Sequence, residues 1–358
     1  MTEEVLQSLQ AARAKPAKAA VTLQQLDFCA RVVSDSLRDL AWITWFLRPG
    51  FSRSSGEAFW ELTLRYDDPT FAQLKHFADQ SPGGEIYPCL QHTHPHGFSR
   101  HWRVGEMRLL YDVEFGCFCA AWPEEGKILI IAESSNLRAA STAMRGIREL
   151  ASLEHIHRKG MILHAAAMEI QGKATLAIAP KRGGKTTFLI RSLMEGANLL
   201  ANDRVVLRPE QETIIAAGIS TVTPLREGTI DLFPAFKQAL ETQQPHFRRR
   251  PAAAGMPGRW NISLPQLCAL TGAGASRQAP VRKLLFLVEG SGSPIRLPED
   301  EAGLLFAQQI FDFSDTERHF FAGLKPMPER EFQNSLARLF RRLCEHAEFW
   351  HYPREGNG

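Results

Sequence analysis

The sequence predicts an α/β protein in two domains: a smaller α+β domain over residues 1–157, and an α/β core over 158–358 that ends in C-terminal helices. Three observations carry this. Residues 161–203 run as apolar stretch, glycine-rich turn, helix-period stretch and apolar stretch, the order strand, loop, helix, strand. Residues 57–131 have β texture. The 358 residues fit two domains at about 150 residues each. With 44% hydrophobic and 23% charged residues the chain is ordinary globular material, which excludes a wholly disordered one. Its 42 basic and 39 acidic residues leave +3, too little to argue for nucleic acid. Six cysteines are too few for a disulfide scaffold and point to a reducing, cytoplasmic setting. No apolar run approaches the roughly 18 residues of a membrane span. The start, with Glu3 and Glu4, lacks the apolar stretch of a secretory signal.

The elements follow in order. Residues 1–20, rich in Ala and Lys with Pro16, read as a frayed lead. Residues 21–47 carry apolar positions at mixed helical spacing and suggest a helix with a strand. Phe59–Leu64, Met107–Tyr111 and Ile128–Ile131 read as strands, and Ser141–Arg158 as a helix with Met144, Ile147, Leu150, Leu153 and Ile156 three apart. Met161–Leu163, Thr175–Ile178 and Leu199–Ala201 are short strand candidates, with a helix through Phe188, Leu189 and Leu193. A Pro-, Arg-, Ala- and Gly-rich loop occupies 245–260, and Leu284–Val288 reads as a buried strand. The last 30 residues read as helical, with Phe332, Leu336, Leu339, Phe340 and Leu343 on one face.

The chemistry concentrates at Ala179-Pro180-Lys181-Arg182-Gly183-Gly184-Lys185-Thr186, followed by Thr187. This fits the phosphate-binding loop G-x-x-x-x-G-K-[ST], with Ala179 in place of the first glycine. Backbone N–H groups of such a turn point inward as an anion nest, and the following helix adds its positive end. Gly183 and Gly184 allow the close approach and backbone angles this needs. Ala179 is tolerable if its φ is negative. Lys185 would reach the β- and γ-phosphates, and Thr186 would help hold Mg²⁺. Lys181 and Arg182 add positive charge nearby.

His164 lies 21 residues before Lys185, and Asp203, in Asn202-Asp203-Arg204, lies 18 after it. This constellation resembles the kinase domain of the HPr kinase/phosphorylase family. That family places a histidine on the hairpin before its phosphate loop and an Asp-Asp-Arg run at the end of the strand after the helix. The resemblance spans residues 158–210 and does not reach residues 1–150. It implies a phosphate-loop kinase core of the HPr kinase and PEP carboxykinase type. The chain looks closer to HPr-kinase-related peptide and serine kinases, such as those acting on lasso-peptide precursors. The implied roles are catalysis by Asp203, His164 and Lys185. ATP would be bound by Ala179, Lys181, Arg182, Gly183, Gly184, Lys185, Thr186 and Thr187, and Mg²⁺ by Thr186, Asp203 and Asn202. Asn202 departs from the family's first aspartate: an amide cannot take a proton, so the carboxylate work falls on Asp203 with His164 in support.

The expected activity is ATP- and Mg²⁺-dependent transfer to a Ser or Thr hydroxyl of a peptide or small protein, with residues 1–157 recognising substrate or building the assembly. The resemblance also makes a homo-oligomer an expectation. A small-molecule kinase and a nucleotide-binding regulator with little catalysis are the alternatives. Other clusters read as structural. Glu169 reads as an exposed strand residue. Gln91–His96, with His101 beyond, reads as a polar loop, and Cys117-Phe118-Cys119 as a strand. Phe247–Pro251, Arg259-Trp260 and Arg226 read as basic loop, and Arg338, Arg341 and Arg342 as solvent-facing helix.

Overall fold

The computed structural model describes residues 3–81, 85–88, 98–113, 115–242, 248–250, 259–311, 324–325 and 327–354. The chain divides into two compact units, Met1–Trp45 with Ser52–Glu154 and Asp312–Glu329, and Phe46–Phe51 with His155–Phe311 and Arg330–Gly358. Each unit is thus assembled from separated stretches, which a single boundary near 157 does not capture. Among the described residues no helix is long and apolar enough to cross a membrane.

The first unit is built on α1 (Glu3–Ala14), β1 (Ala19–Gln25), β2 (Phe28–Ser34), α2 (Leu37–Phe46), β3 (Ser52–Arg53), β4 (Trp60–Tyr66), α3 (Asp68–Gln80), β5 (Glu85–Pro88), β6 (Phe98–Val104), β7 (Met107–Asp112), β8 (Cys117–Trp122), β9 (Lys127–Ala132) and α4 (Ala139–His157). Its nine-stranded sheet runs β3-β1-β2-β4-β9-β8-β7-β6-β5. The pairs β2–β4 and β4–β9 are parallel and the rest antiparallel. Parallel neighbours need a crossover, and α3 lies between β4 and the later strands in sequence. Residues 1–20 are not the frayed lead the composition suggests. Val5, Leu9 and Ala12 recur at helical spacing and are buried in one cluster with Phe71, Leu74, Phe118 and Ile131. Residues 21–47 hold two strands before the helix, paired in register from Ala19↔Ser34 to Gln25↔Phe28.

The second unit contains β10 (Met161–Ile170), β11 (Lys173–Ile178), α5 (Lys185–Met194), β12 (Asn198–Ala201), β13 (Arg204–Glu210), β14 (Thr213–Ile219), β15 (Thr223–Arg226), α6 (Glu227–Ile230), α7 (Pro234–Thr242), β16 (Arg248–Arg250), β17 (Arg259–Ile262), α8 (Leu264–Thr271), β18 (Gln278–Glu289), β19 (Ile295–Arg296), α9 (Glu299–Ala307), α10 (Glu329–His346) and β20 (Glu348–Arg354). The main sheet runs β11-β10-β13-β14-β18-β20-β19, with β12 also on β10. β11 pairs antiparallel with β10 and parallel with β18, so these strands form a closed circuit. The strand after the loop helix therefore lies beside β10 and not beside β11, a departure from a simple βαβ unit. β15, β17 and β16 form a small third sheet, so the 245–260 stretch expected as loop carries two short strands. The C-terminus is not all helix either: β20 follows α10 and adds parallel to β18.

The core of this unit holds α5 in place. Leu189, Ile190 and Leu193 face Ala166, Met168, Ala177 and Leu285 of the sheet and Leu267 of α8. Each such fully buried side chain contributes roughly 1.5–3 kcal/mol. Ala166 and Ala177 are small residues on the sheet face of that cluster. α10 buries Phe332, Ser335, Leu339 and Leu343.

Candidate active site

The loop after β11 is shaped by its glycines. Gly183 is buried, and a Cβ there would lie 2.6 Å from the Ala179 Cβ and 2.9 Å from the Pro180 carbonyl oxygen. Gly184 caps α5 in the left-handed region at φ 86°, which a side chain disfavours. Arg182 also has a positive φ, 70°, whereas Ala179 is not among the positive-φ residues. Alanine in the first glycine's place therefore costs no backbone strain.

Gly184 gives α5 no side-chain cap, in contrast to α3, capped by Asp67, and α8, closed by a Ser263–Gln266 capping box. The first N–H groups of α5 are thus left for an outside acceptor, in the field of the helix's positive end. Lys185 is only 9% exposed and folds back on the loop, its Nζ donating to the Ala179 carbonyl at 2.6 Å and the Pro180 carbonyl at 3.3 Å. Burial pushes its pKa down, and the negative charge of Asp203 works against that. Thr186 and Thr187 are half-buried, and Lys181 and Arg182 are exposed.

His164 and Asp203 meet. β10 and β13 pair with His164 opposite Arg204, and the Ala165 N–H donates to the Asp203 carbonyl. This register sets His164 Nε2 3.1 Å from Asp203 Oδ1, with the two side chains 29% and 40% exposed, so the pair is held yet reachable. Behind it, Phe311 takes the His164 ring at 5.7 Å and the Arg204 guanidinium at 4.9 Å. Burial raises the Asp203 pKa, but the His164 hydrogen bond and charge, with Arg204 and Lys185, outweigh it and hold the carboxyl below its ordinary value. Asp203 is therefore an ionised carboxylate within the electrostatic reach of Lys185.

Asn202 is drawn elsewhere. Its amide donates to Thr223 Oγ1 and its carbonyl accepts from Thr221 Oγ1, each at 2.7 Å, in buried surroundings. It ties the strand end that presents Asp203 to the β15 entry. Glu169 is a strand residue as expected, near the end of β10, but half-buried and engaged: it accepts from Asn198 Nδ2 at 2.6 Å, from Ser276 Oγ at 3.0 Å and from the Gly172 N–H, closing the β10–β11 hairpin. Those hydrogen bonds, Asn198's first, lower its pKa.

The remaining candidates separate from this site. Cys117 and Cys119 are buried on β8, where burial pushes Cys117 up to about 12 and raises Cys119 as well, which fits structural thiols. Residues 91–96, Phe247 and Pro251 lie outside the described residues, while His101 is buried. Arg226 is exposed before α6, and Trp260 is buried in the core beside α5. Arg338 and Arg341 face solvent, and Arg342 donates to the Gln211 carbonyl. Among the described residues no three His, Cys, Asp or Glu side chains cluster as a metal site. Magnesium does not need one, since it binds through one or two protein oxygens plus phosphates and water. The donor set present, an ionised Asp203 and the Thr186 hydroxyl, fits that requirement.

The sequence reading did not single out Arg354, whose side chain lies against Gly184. It sits far from the loop in sequence at the end of a strand that was read as helix, and no local pattern links the two.

No protein-family model matches the chain, and no curated protein matches it. Among solved structures, the Hpr(Ser) kinase/phosphatase from Coxiella burnetii is similar over 37% of this chain and 69% of its own, at 18% identity and a TM-score of 0.21.

Proposed function

We propose that the chain is an ATP- and Mg²⁺-dependent kinase that transfers the γ-phosphoryl group to a Ser or Thr hydroxyl of a peptide or small protein. The carrying observation is the His164–Asp203 pair, an ionised carboxylate set beside an uncapped helix start and a buried lysine. Phosphoryl transfer needs little covalent help from a protein; it needs the phosphates held, their charge offset and the attacking oxygen aligned. The N–H groups of Gly184 to Thr186 would hold the β-phosphate, while the Gly183 N–H closes the turn onto the Pro180 carbonyl. Lys185 would exchange its carbonyl partners for phosphate oxygens. Thr186 and Asp203 would hold Mg²⁺, which would offset charge on the β- and γ-phosphates. Asn202, engaged with two threonines, supports this by fixing the turn.

With Oδ1 facing His164, Asp203 has Oδ2 to receive the hydroxyl proton as the acceptor oxygen bonds to the γ-phosphorus and the bond to the bridging oxygen breaks. ADP leaves with that electron pair. His164 keeps the carboxylate oriented and ionised.

The test is label transfer from γ-labelled ATP to a panel of candidate peptides and small alcohols. Transfer to peptide that Asp203→Asn abolishes supports the reading. Transfer confined to a small alcohol would replace it with a small-molecule kinase. Tight ATP binding with no transfer to any acceptor would replace it with a nucleotide-binding regulator. Lys185→Ala abolishes nucleotide binding under all three.

A further inference from the structure

Arg354 is placed by the sheet. β20 runs parallel to β18 with Arg354 opposite Glu289, and β18 runs parallel to β11. The carboxyl ends of these three strands therefore share the edge from which the phosphate loop departs. The Arg354 side chain lies over the loop: a Cβ on Gly184 would stand 2.8 Å from its Cδ and 3.3 Å from its Nε. Nε is buried and has no hydrogen-bond partner among the described residues. Nη2 meets Glu289 Oε1 at 3.5 Å, and that glutamate is 74% exposed, so the pair is loose and weak.

A cleft of about 260 Å³ opens beside this arginine. Thr187, Phe188 and Arg191 of α5, Ser291 of the turn after β18, and Tyr352 and Arg354 of β20 line it. Phe188 and Tyr352 meet edge to face at 5.2 Å. Its lining has two aromatic rings, two arginines and no carboxylate. His164 and Asp203 are not part of it: they belong to β10 and the turn just before β13, on the opposite flank of β11.

A nucleotide with its β-phosphate in the loop can lie across the end of β11 in two directions. The carboxylate flank suits the metal-bound γ-phosphate. The cationic, aromatic flank suits the α-phosphate, ribose and base. Resting on the proposed nucleotide site, we propose that Arg354 is a nucleotide-binding residue that grips the α- and β-phosphate oxygens of a nucleotide whose nucleoside half occupies the Phe188–Tyr352 cleft, its γ-phosphate directed toward Asp203. An arginine fork matches two phosphate oxygens at once. A phosphate oxygen would also give the buried Nε the acceptor it lacks, and leaving such a donor unpaired is costly. Glu289, largely solvated, releases the guanidinium at little cost.

The experiment is calorimetric titration of the full chain with MgATP, MgADP and inorganic tripolyphosphate. Arg354→Gln, Arg354→Lys, Glu289→Gln, Tyr352→Ala and Lys185→Ala are compared with the unaltered protein, and thermal melts serve as the folding control. Arg354→Gln is expected to weaken ATP and ADP equally, by tenfold or more, with Arg354→Lys recovering part of the loss. Glu289→Gln should bind as tightly or more tightly. Tyr352→Ala should weaken ATP while leaving tripolyphosphate unchanged. Arg354→Gln binding within twofold of the unaltered protein overturns the proposal and leaves the phosphate-loop reading standing. A loss seen for ATP but not ADP overturns it too, because the guanidinium would then serve the γ-phosphate. No nucleotide binding by the unaltered protein, or binding that Lys185→Ala does not change, overturns the phosphate-loop reading and the Arg354 proposal with it.

Discussion

Asn202 occupies the position where the kinase resemblance expects a first aspartate, and its neighbours explain why an amide suits this chain. It needs a donor for Thr223 and an acceptor for Thr221, and an amide offers one of each. A carboxylate offers no donor and would place a second negative charge next to Asp203 in buried surroundings. Asn202→Asp is therefore expected to lower stability by about 1–3 kcal/mol and to leave label transfer no faster, as urea denaturation and the transfer assay would show. His164 acts in the opposite sense on Asp203. Burial favours the protonated acid, and His164 is the strongest of the groups that reverse this. Replacing His164 with Gln removes its charge, so the Asp203 pKa should rise. The acid limb of the transfer rate should move to higher pH, and carboxyl-carbon NMR of Asp203 should report the same displacement. An unmoved acid limb would mean that another group sets it.

The helix starts differ in how their first N–H groups are satisfied: α5, α6 and α9 have no side-chain cap, whereas α3 and α8 do. α3 begins at Asp67, which accepts from the Thr70 N–H at 3.1 Å and pairs with Lys15. Burial raises the Asp67 pKa, but the Lys15 and Thr70 hydrogen bonds outweigh it, so it ends below its ordinary value. A carboxyl depressed in the folded state adds stability above its unfolded pKa and loses it as pH falls through the folded one. Asp67→Ala is expected to cost about 1 kcal/mol for the cap, with a further contribution from Lys15. In urea melts the gap to the unaltered protein should be full at pH 7 and shrink well below pH 4. An equal gap at both pH values would assign the loss to packing instead. The elements legible in the sequence were those with strong periodicity or punctuation. The glycine-rich loop announced α5 by glycines between an apolar run and a helix pattern, and Ile128–Ile131 and Leu284–Val288 stood out as runs of apolar residues. α1 was missed because its stripe is only Val5, Leu9 and Ala12 amid alanines. β20 was missed because Glu348–Arg354 follows the strong amphipathic pattern of α10 without a glycine stop, and it includes Pro353. The resemblance set His164 near Asp203, and the two side chains do meet. Arg354 was not legible, since only the β11-β18-β20 pairing brings it to the loop.

At the scale of the whole chain, sequence order and compact units do not coincide, and this has consequences for stability. The second unit includes Phe46–Phe51, more than one hundred residues ahead of its main body. Leu47 and Phe51 are only 0% and 2% exposed. The Leu47 and Arg48 carbonyls accept from the fully buried Ser220 hydroxyl at 2.6 and 3.2 Å. Gly50 approaches Gly218 so closely that a Cβ on it would lie 2.1 Å from the Gly218 carbonyl oxygen. This short segment is thus built into the edge of β14, the strand that β13 links back to His164 and Asp203. A fragment of residues 158–358 contains the glycine-rich loop, both catalytic candidates and Arg354, yet it lacks the segment. Removing it leaves Ser220 unpaired, at about 1–3 kcal/mol, and uncovers the surface under Leu47 and Phe51, at roughly 1.5–3 kcal/mol for each side chain lost. Such a sum is a large part of the 5–15 kcal/mol that typically separates folded from unfolded domains. The fragment should therefore melt well below the full chain and bind nucleotide weakly at temperatures where the full chain binds well. A chain of 46–51 joined to 158–358 through a flexible linker should recover much of both losses. A bare fragment that melts with the full chain would show that residues 46–51 contribute little to the second unit.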